Sequence, residues 1–197
     1  MQATGVIMAG GRSSRMRFNK AFAEINGQPV ICFIINKFIN TFSETIIISN
    51  DPEQYAVFNL PTYSDVYPRL GPVSGIHAAL HYARMDKVFV LGCDMPFMSM
   101  GLARYMIEQL EDHEAAVPEI EGYLQPISAA YSKKCLSVLT NCLNNNLLKL
   151  VLVFNELNTR KIKESELRHF GDIREMFLNV NDPETLYQAR ILARRLL

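Results

Sequence analysis

The stretch Gly5-Val6-Ile7-Met8-Ala9-Gly10-Gly11-Arg12-Ser13-Ser14-Arg15-Met16-Arg17-Phe18-Asn19-Lys20 sets the architecture of this chain. Its first four residues are apolar without alternation, the pattern of a strand buried on both faces. Gly10 and Gly11 then let the backbone turn sharply and bring N–H donors close to a ligand, and Arg12, Arg15, Arg17 and Lys20 add four cations. That chemistry suits a polyphosphate, and open α/β sheets bind ligands beyond the carboxyl ends of their strands, where this loop falls. The same residues are compatible with an ordinary Gly-Gly turn whose cations are solvated. Spacing excludes two familiar loops. Lys20 follows Asn19 and precedes Ala21, which is no Walker A loop, and Gly10-Gly11-Arg12 breaks the G-x-G-x-x-G of dinucleotide binders.

Outward from the loop, short β-branched runs alternate with longer helical patterns: Ala3–Met8, Pro29–Phe42, Thr45–Ser49, Pro72–Arg84 and Lys87–Gly92. This βαβ grammar predicts an α/β fold of three layers, a mostly parallel central sheet covered on both faces. The runs at Gly5–Met8, Thr45–Ile48 and Val88–Leu91 read as its central strands. Helices are expected over Met98–Glu111 and Pro183–Leu197, the latter capped by Asn181 or Asp182. Leu147–Leu157 suits a buried strand by its apolar run and a helix by its length and Leu-Lys-Glu content, the helix being the reading preferred, and Ile127–Tyr131 reads as a strand opened by Gln125-Pro126. Phe33, Phe38 and Phe42 fall at near-helical intervals and read as core.

The chain has 197 residues, 49% hydrophobic and 20% charged, which fits one domain over 1–197. Lys plus Arg and Asp plus Glu both total 20, so no net positive field recruits nucleic acid or an anionic membrane. Cys32, Cys93, Cys135 and Cys142 form no CxxC pair and no zinc spacing, which points to reduced thiols in a cytoplasm. No apolar stretch approaches the roughly 18–20 residues that span a bilayer, so a soluble, unprocessed protein is expected.

Several single residues carry two readings. Asp94 follows the apolar strand and suits a Mg²⁺ ligand, or else starts the turn before Pro96. Asn50 offers a donor and an acceptor to a base or ribose, or else caps a helix starting at Pro52. Asp65 is a ligand contact or a turn residue before Tyr67-Pro68. Asn179 and Asn181 alternate onto one face of a short strand, where they are site residues or merely exposed polar positions. His77 and His81 share a helical face, but Ala78 replaces the Glu of a zinc-protease motif, which leaves packing or surface histidines as the plainer reading.

With Lys20, the string Ala9-Gly10-Gly11-Arg12-Ser13-Ser14-Arg15-Met16 resembles the signature loop of the molybdenum cofactor guanylyltransferase (MobA) family, within the Rossmann-like nucleotidyltransferases. Three further segments match in order: Gly71-Pro72-Val73-Ser74-Gly75-Ile76, Cys93-Asp94-Met95-Pro96-Phe97 and Asn179-Val180-Asn181-Asp182-Pro183-Glu184. The resemblance implies the nucleotide-diphospho-sugar-transferase type of sheet and transfer of GMP from GTP to the phosphate of molybdopterin, with pyrophosphate released. It implies nucleotide contacts at Met8, Ala9, Gly10, Gly11, Arg12, Lys20, Asn50, Asp65 and Asp94, with Mg²⁺ on Asp94. Acceptor contacts fall on Gly71, Gly75, Asn179 and Asn181. In this scheme Lys20 and Asp94 with its metal neutralise the transferring group, while Arg12, Arg15 and the loop amides stabilise pyrophosphate. Transient contacts with cofactor-supplying or cofactor-receiving proteins are also expected. The chain departs from the family at Arg17, where Gly is common, and at Met8, where Leu is common. A cytidylyl- or sugar-phosphate nucleotidyltransferase, or a nucleotide-binding homologue without turnover, is the alternative.

Overall fold

The computed structural model describes residues 1–10, 19–68 and 70–196. Gly11, Arg12, Arg15 and Arg17 of the loop lie outside the described residues.

The chain opens with β1 (Thr4–Met8), a single 3-10 turn at Lys20–Phe22, a small hairpin of β2 (Glu24–Ile25) and β3 (Gln28–Pro29), and helix α1 (Val30–Ile39). Next come β4 (Glu44–Ile48), a 3-10 helix at Pro52–Phe58, β5 (Thr62–Tyr63), α2 (Pro72–Tyr82), β6 (Lys87–Gly92) and α3 (Met100–Glu108). The second half contributes β7 (Ala115–Ile120), β8 (Tyr123–Leu124), β9 (Ser128–Ser132), α4 (Cys135–Asn144), α5 (Leu150–Val153) and β10 (Thr159–Lys163). It closes with α6 (Glu164–Leu167), α7 (Ile173–Met176) and α8 (Pro183–Leu196). Among the described residues no helix is long and apolar enough to cross a membrane.

The main sheet runs β10-β7-β9-β6-β1-β4-β5, with β8 paired to β7. β1 is parallel to both β4 and β6, and Met8 stands level with Ile48 on one side and Gly92 on the other. The chain steps from β1 outward through β4 and β5, then returns through α2 to the opposite flank of β1 at β6. β1 is therefore the point at which the winding reverses, and the residues after β1, β4 and β6 emerge together at one carboxyl edge.

Both faces of the sheet are buried, which explains the unbroken apolar runs. Ile7, Ile47, Phe89 and Leu91 pack with Ile34, Phe38 and Phe42 on one face, while Val6, Ile46, Val88 and Val90 pack with Val73, Ile76 and Leu80 on the other. Phe38 and Phe42 meet Phe89 with ring centroids 5.9 and 5.8 Å apart. Phe33 lies in a third cluster with Ile25, Val30 and Val180.

The differences from expectation are local. The strand expected over Ile127–Tyr131 is present as β9, one residue later at Ser128–Ser132, and it runs antiparallel to β6, so the sheet is mixed though mostly parallel. Asn179 and Asn181 do not lie on a strand. Val180 N bonds to Asp94 O at 2.9 Å and Asn181 N to Thr185 Oγ1 at 3.0 Å, and among the described residues no ladder holds this segment. Leu147–Leu157 is helical in part, over α5 and a 3-10 turn at Phe154–Glu156. Asp182 caps α8, its Oδ1 accepting Thr185 N at 2.8 Å, which leaves the Asn181 side chain for another partner.

Candidate functional site

A cleft of about 750 Å³ opens at the carboxyl edge of β1, β4 and β6. Met8, Ala9 and Gly10 form its floor beside β1. Asn50 follows β4, Asp94 follows β6, and Lys20 reaches in from the 3-10 turn, so each arises where the backbone leaves the sheet. The amino end of α2 supplies Gly71, Pro72 and Gly75. Gly71 has φ +78°, a left-handed conformation that glycine adopts without a Cβ penalty, and it lets Pro72 begin the helix. A Cβ on Gly75 would run into the Met8 side-chain tip, so a side chain here would push the Met8 thioether aside at the cleft floor.

At one end of the cleft Lys20 Nζ stands 3.7 Å from Asp94 Oδ2 and donates a hydrogen bond to Asn181 Oδ1. The two charged side chains are 26% and 19% exposed, so a ligand can still reach them. Burial pushes the Asp94 carboxyl above its ordinary value, and the neighbouring Lys20 ammonium opposes that shift. Cys93 beside it carries a thiol pushed up to about 12 by burial and by Asp94, which makes it a poor nucleophile at neutral pH.

At the other end Asn50 and Asp65 clasp each other. Asn50 Nδ2 donates to Asp65 Oδ2 at 2.8 Å, and Asp65 N donates to Asn50 Oδ1 at 3.2 Å. Burial raises the Asp65 carboxyl, and the Asn50 amide pulls it back. Asn50 therefore does not cap the following helix: Asp51 precedes Pro52, and no side-chain cap bond forms there.

The structure thus gathers Met8, Ala9, Gly10, Lys20, Asn50, Asp65, Gly71, Gly75 and Asp94 into one cleft, with Asn181 attached through Lys20. Gly75 sits beside Asp65, whose Oδ1 would be 3.8 Å from a Cβ placed there. Asn179 is not brought in by its side chain, which bonds back to Phe177 O at 3.1 Å. His77 is buried, with Nε2 3.1 Å from Thr140 Oγ1, and its ring stacks 6.1 Å from His81. Burial and His81 lower its basicity, as for a packing histidine. Among the described residues no group of three or more His, Cys, Asp or Glu side chains could hold a metal.

Sequence reasoning missed three residues that brace this edge. Asn19 Oδ1 accepts Ala21 N at 3.1 Å, and Tyr55 OH donates to Ala9 O at 3.1 Å. Lys37 Nζ donates to Pro96 O at 2.9 Å and Met98 O at 3.2 Å, pinning the segment after Asp94 to α1. Asn19 carried a signal, a short amide before a turn. Tyr55 and Lys37 lie within helical stretches and carried none.

Residues 5–159 match the family described as the MobA-like NTP transferase domain. A relative from Pelotomaculum thermopropionicum, named a "Probable molybdenum cofactor guanylyltransferase", is 39% identical over 193 residues, covering 98% of this chain and 94% of its own. The molybdenum cofactor guanylyltransferase of Desulfosudis oleivorans is 32% identical over 94% of this chain and 93% of its own. Among solved structures, the molybdopterin-guanine dinucleotide biosynthesis protein A of Archaeoglobus fulgidus superposes with a TM-score of 0.85 at 22% identity, over 98% of this chain and 99% of that one. Fold, ordered motifs and relatives agree: the chain belongs to the MobA-like NTP transferase family.

Proposed function

We propose that this protein transfers GMP from GTP to the phosphate of a molybdopterin-type acceptor, releasing pyrophosphate. The observation that carries the reading is the placement of Lys20 and Asp94 at one end of a single cleft and the Asn50–Asp65 clasp at the other. A nucleoside triphosphate has the same polarity, with a hydrogen-bonding base at one end and anionic phosphates at the other.

In the reaction an acceptor phosphate oxygen forms a bond to the α-phosphorus of GTP while the bond to the β-bridging oxygen breaks, and that oxygen leaves with pyrophosphate. The demands on the protein are in-line placement and neutralisation of charge. Lys20 supplies a fixed cation beside the transferring group. Asn50 and Asp65 face the base, where a carboxylate, an acceptor when ionised, matches the donor-rich edge of guanine better than that of cytosine. Gly71, Gly75 and Asn181 are assigned to the acceptor side, with Gly75 close enough to Asp65 to border both substrates.

A Mg²⁺ ion fits the donor set. Asp94 offers one hard oxygen ligand at the cleft wall, and magnesium usually combines one or two carboxylates with substrate phosphate oxygens and water. Bound there, it would supply charge neutralisation at the phosphates. The four free cysteines fit a reducing cytoplasm as the place of reaction.

Thermal unfolding with GTP, CTP, ATP or UTP, each with and without Mg²⁺, tests the reading. A nucleotide at 100 times its dissociation constant stabilises by about 2.7 kcal/mol. Selective stabilisation by GTP with Mg²⁺ is expected; a preference for CTP, or no response to any nucleotide, would refute the assignment.

A further inference from the structure

Tyr55 belongs to the 3-10 helix after β4 and is 1% exposed, too deep to touch a substrate. Its hydroxyl nevertheless uses both of its capacities on the edge that builds the cleft. It donates to Ala9 O at 3.1 Å and accepts from Asn19 Nδ2 at 2.8 Å. The orientation of the Asn19 amide is dictated by its other arm: Oδ1 accepts the backbone Ala21 N–H at 3.1 Å, a group that can only donate. Nδ2 must then face Tyr55, together with Gln54 Oε1 at 3.0 Å.

Ala21 is the middle of the Lys20–Phe22 turn, and Lys20 heads it. A three-residue 3-10 turn is too short to hold itself in place. The Tyr55 oxygen therefore joins Ala9, directly after β1 whose last residue Met8 stands level with Gly92, to the turn that carries Lys20. The Tyr55 ring lies 5.6 Å from that of Phe22, on the same turn.

We infer that Tyr55 is a positioning residue for the transfer reaction: its hydroxyl registers the Lys20 turn against the carboxyl end of β1 and so fixes Lys20 beside Asp94. The part of this inference that concerns catalysis rests on the function proposed for Lys20; the registration itself does not.

Tyr55→Phe removes the oxygen and keeps the ring against Phe22. Loss of one such hydrogen bond corresponds to roughly a three- to tenfold change in an equilibrium. Without nucleotide, amide exchange at Ala21, Phe22 and Ala23 should accelerate by about that factor while the β6 amides stay unchanged. GTP affinity should fall by a similar factor in the wild-type background and by less than about twofold in Lys20→Ala, because a residue acting through Lys20 is not additive with its loss. A merely structural tyrosine would weaken binding equally in both backgrounds. Asn19→Asp, which keeps an oxygen for Ala21 N and removes only the Nδ2 donor that faces Tyr55, should reproduce the exchange signature if Tyr55→Phe fails to fold. Unchanged exchange at residues 21–23, or an equal loss of affinity in both backgrounds, overturns the inference. If the wild-type protein binds no GTP, the proposed function fails and the exchange measurement alone decides the role of Tyr55.

Discussion

Gly92 ends β6 directly beneath the Asp94 carboxylate: a Cβ at position 92 would meet Asp94 Oδ1 at 2.8 Å, with its other neighbours, Ile127 and Met95, at 3.6 and 3.9 Å. Since the near atom is the end of a side chain, Gly92→Ala should displace the carboxylate rather than the strand. Thermal unfolding is expected to change by less than about 1 kcal/mol while GMP transfer falls on the order of 10- to 100-fold, because small misplacements are expensive in phosphoryl chemistry. Paired unfolding and transfer measurements check this, and full activity in Gly92→Ala would remove Asp94 from the reaction.

The Asn50–Asp65 clasp makes a different kind of prediction, one about selectivity. Hydrogen bonds to a charged group contribute about 1.5–3 kcal/mol, so Asp65→Ala should weaken GTP binding by roughly 10- to 150-fold. The GTP-to-CTP preference should collapse with it. Calorimetric titration of both nucleotides reads the effect; an equal loss for GTP and CTP would place Asp65 outside base recognition.

Gly5 lies in β1 against the aromatic layer, where an added Cβ would stand 2.5 Å from Phe42 Cδ2 and 2.6 Å from Phe38 Cδ2. Both rings are packed against Phe89 and have nowhere to move. Gly5→Ala should therefore destabilise the fold by about 1–3 kcal/mol through overpacking, seen as a lower urea midpoint. An unchanged midpoint would mean that the layer is looser than its geometry implies.

Glu44 provides a pH-dependent stability term at the other end of the strands. Burial alone would push its carboxyl up, but Thr4 Oγ1 at 2.6 Å, Arg84 N at 2.8 Å and the Arg84 guanidinium outweigh it and hold it below its ordinary value. A carboxyl with a depressed folded-state pKa stabilises fully above its unfolded-state value and loses that contribution as pH falls through the folded-state value. Glu44→Gln should accordingly lower the unfolding midpoint at neutral pH, and the gap to wild type should narrow as pH falls below about 4.5. A gap constant down to ~pH 3 would assign the effect to packing instead.

The first half of the fold was legible because its strands are buried on both faces and its helices are regular. Val6-Ile7, Ile46-Ile47-Ile48 and Val88-Phe89-Val90 admit few other readings. In the second half the strand at β9 and the helices α3 and α8 were legible, but β7, which contains Pro118, and the largely polar edge strand β10 were not, so those two are strands through pairing rather than propensity. The same division holds in the site. Lys20, Asn50, Asp65 and Asp94 could be named because they follow apolar strands or a glycine loop and match a family pattern. The bond between Lys20 and Asn181 joins positions 161 apart, and no local pattern announces it. The alternation of Asn179 and Asn181 suggested a strand, yet the segment lies off the sheet, tied to Asp94 O by Val180 N and anchored by the buried Val180 side chain.

The most direct test of nucleotidyl transfer is formation of pyrophosphate and a guanine dinucleotide product from GTP, molybdopterin and Mg²⁺, compared among wild type, Lys20→Ala and Asp94→Ala. Wild type should form both products in equal amounts, and each variant should lose on the order of 100-fold or more in rate while remaining folded. Undiminished product formation by both variants, or dinucleotide made from CTP in preference to GTP, would contradict the assignment.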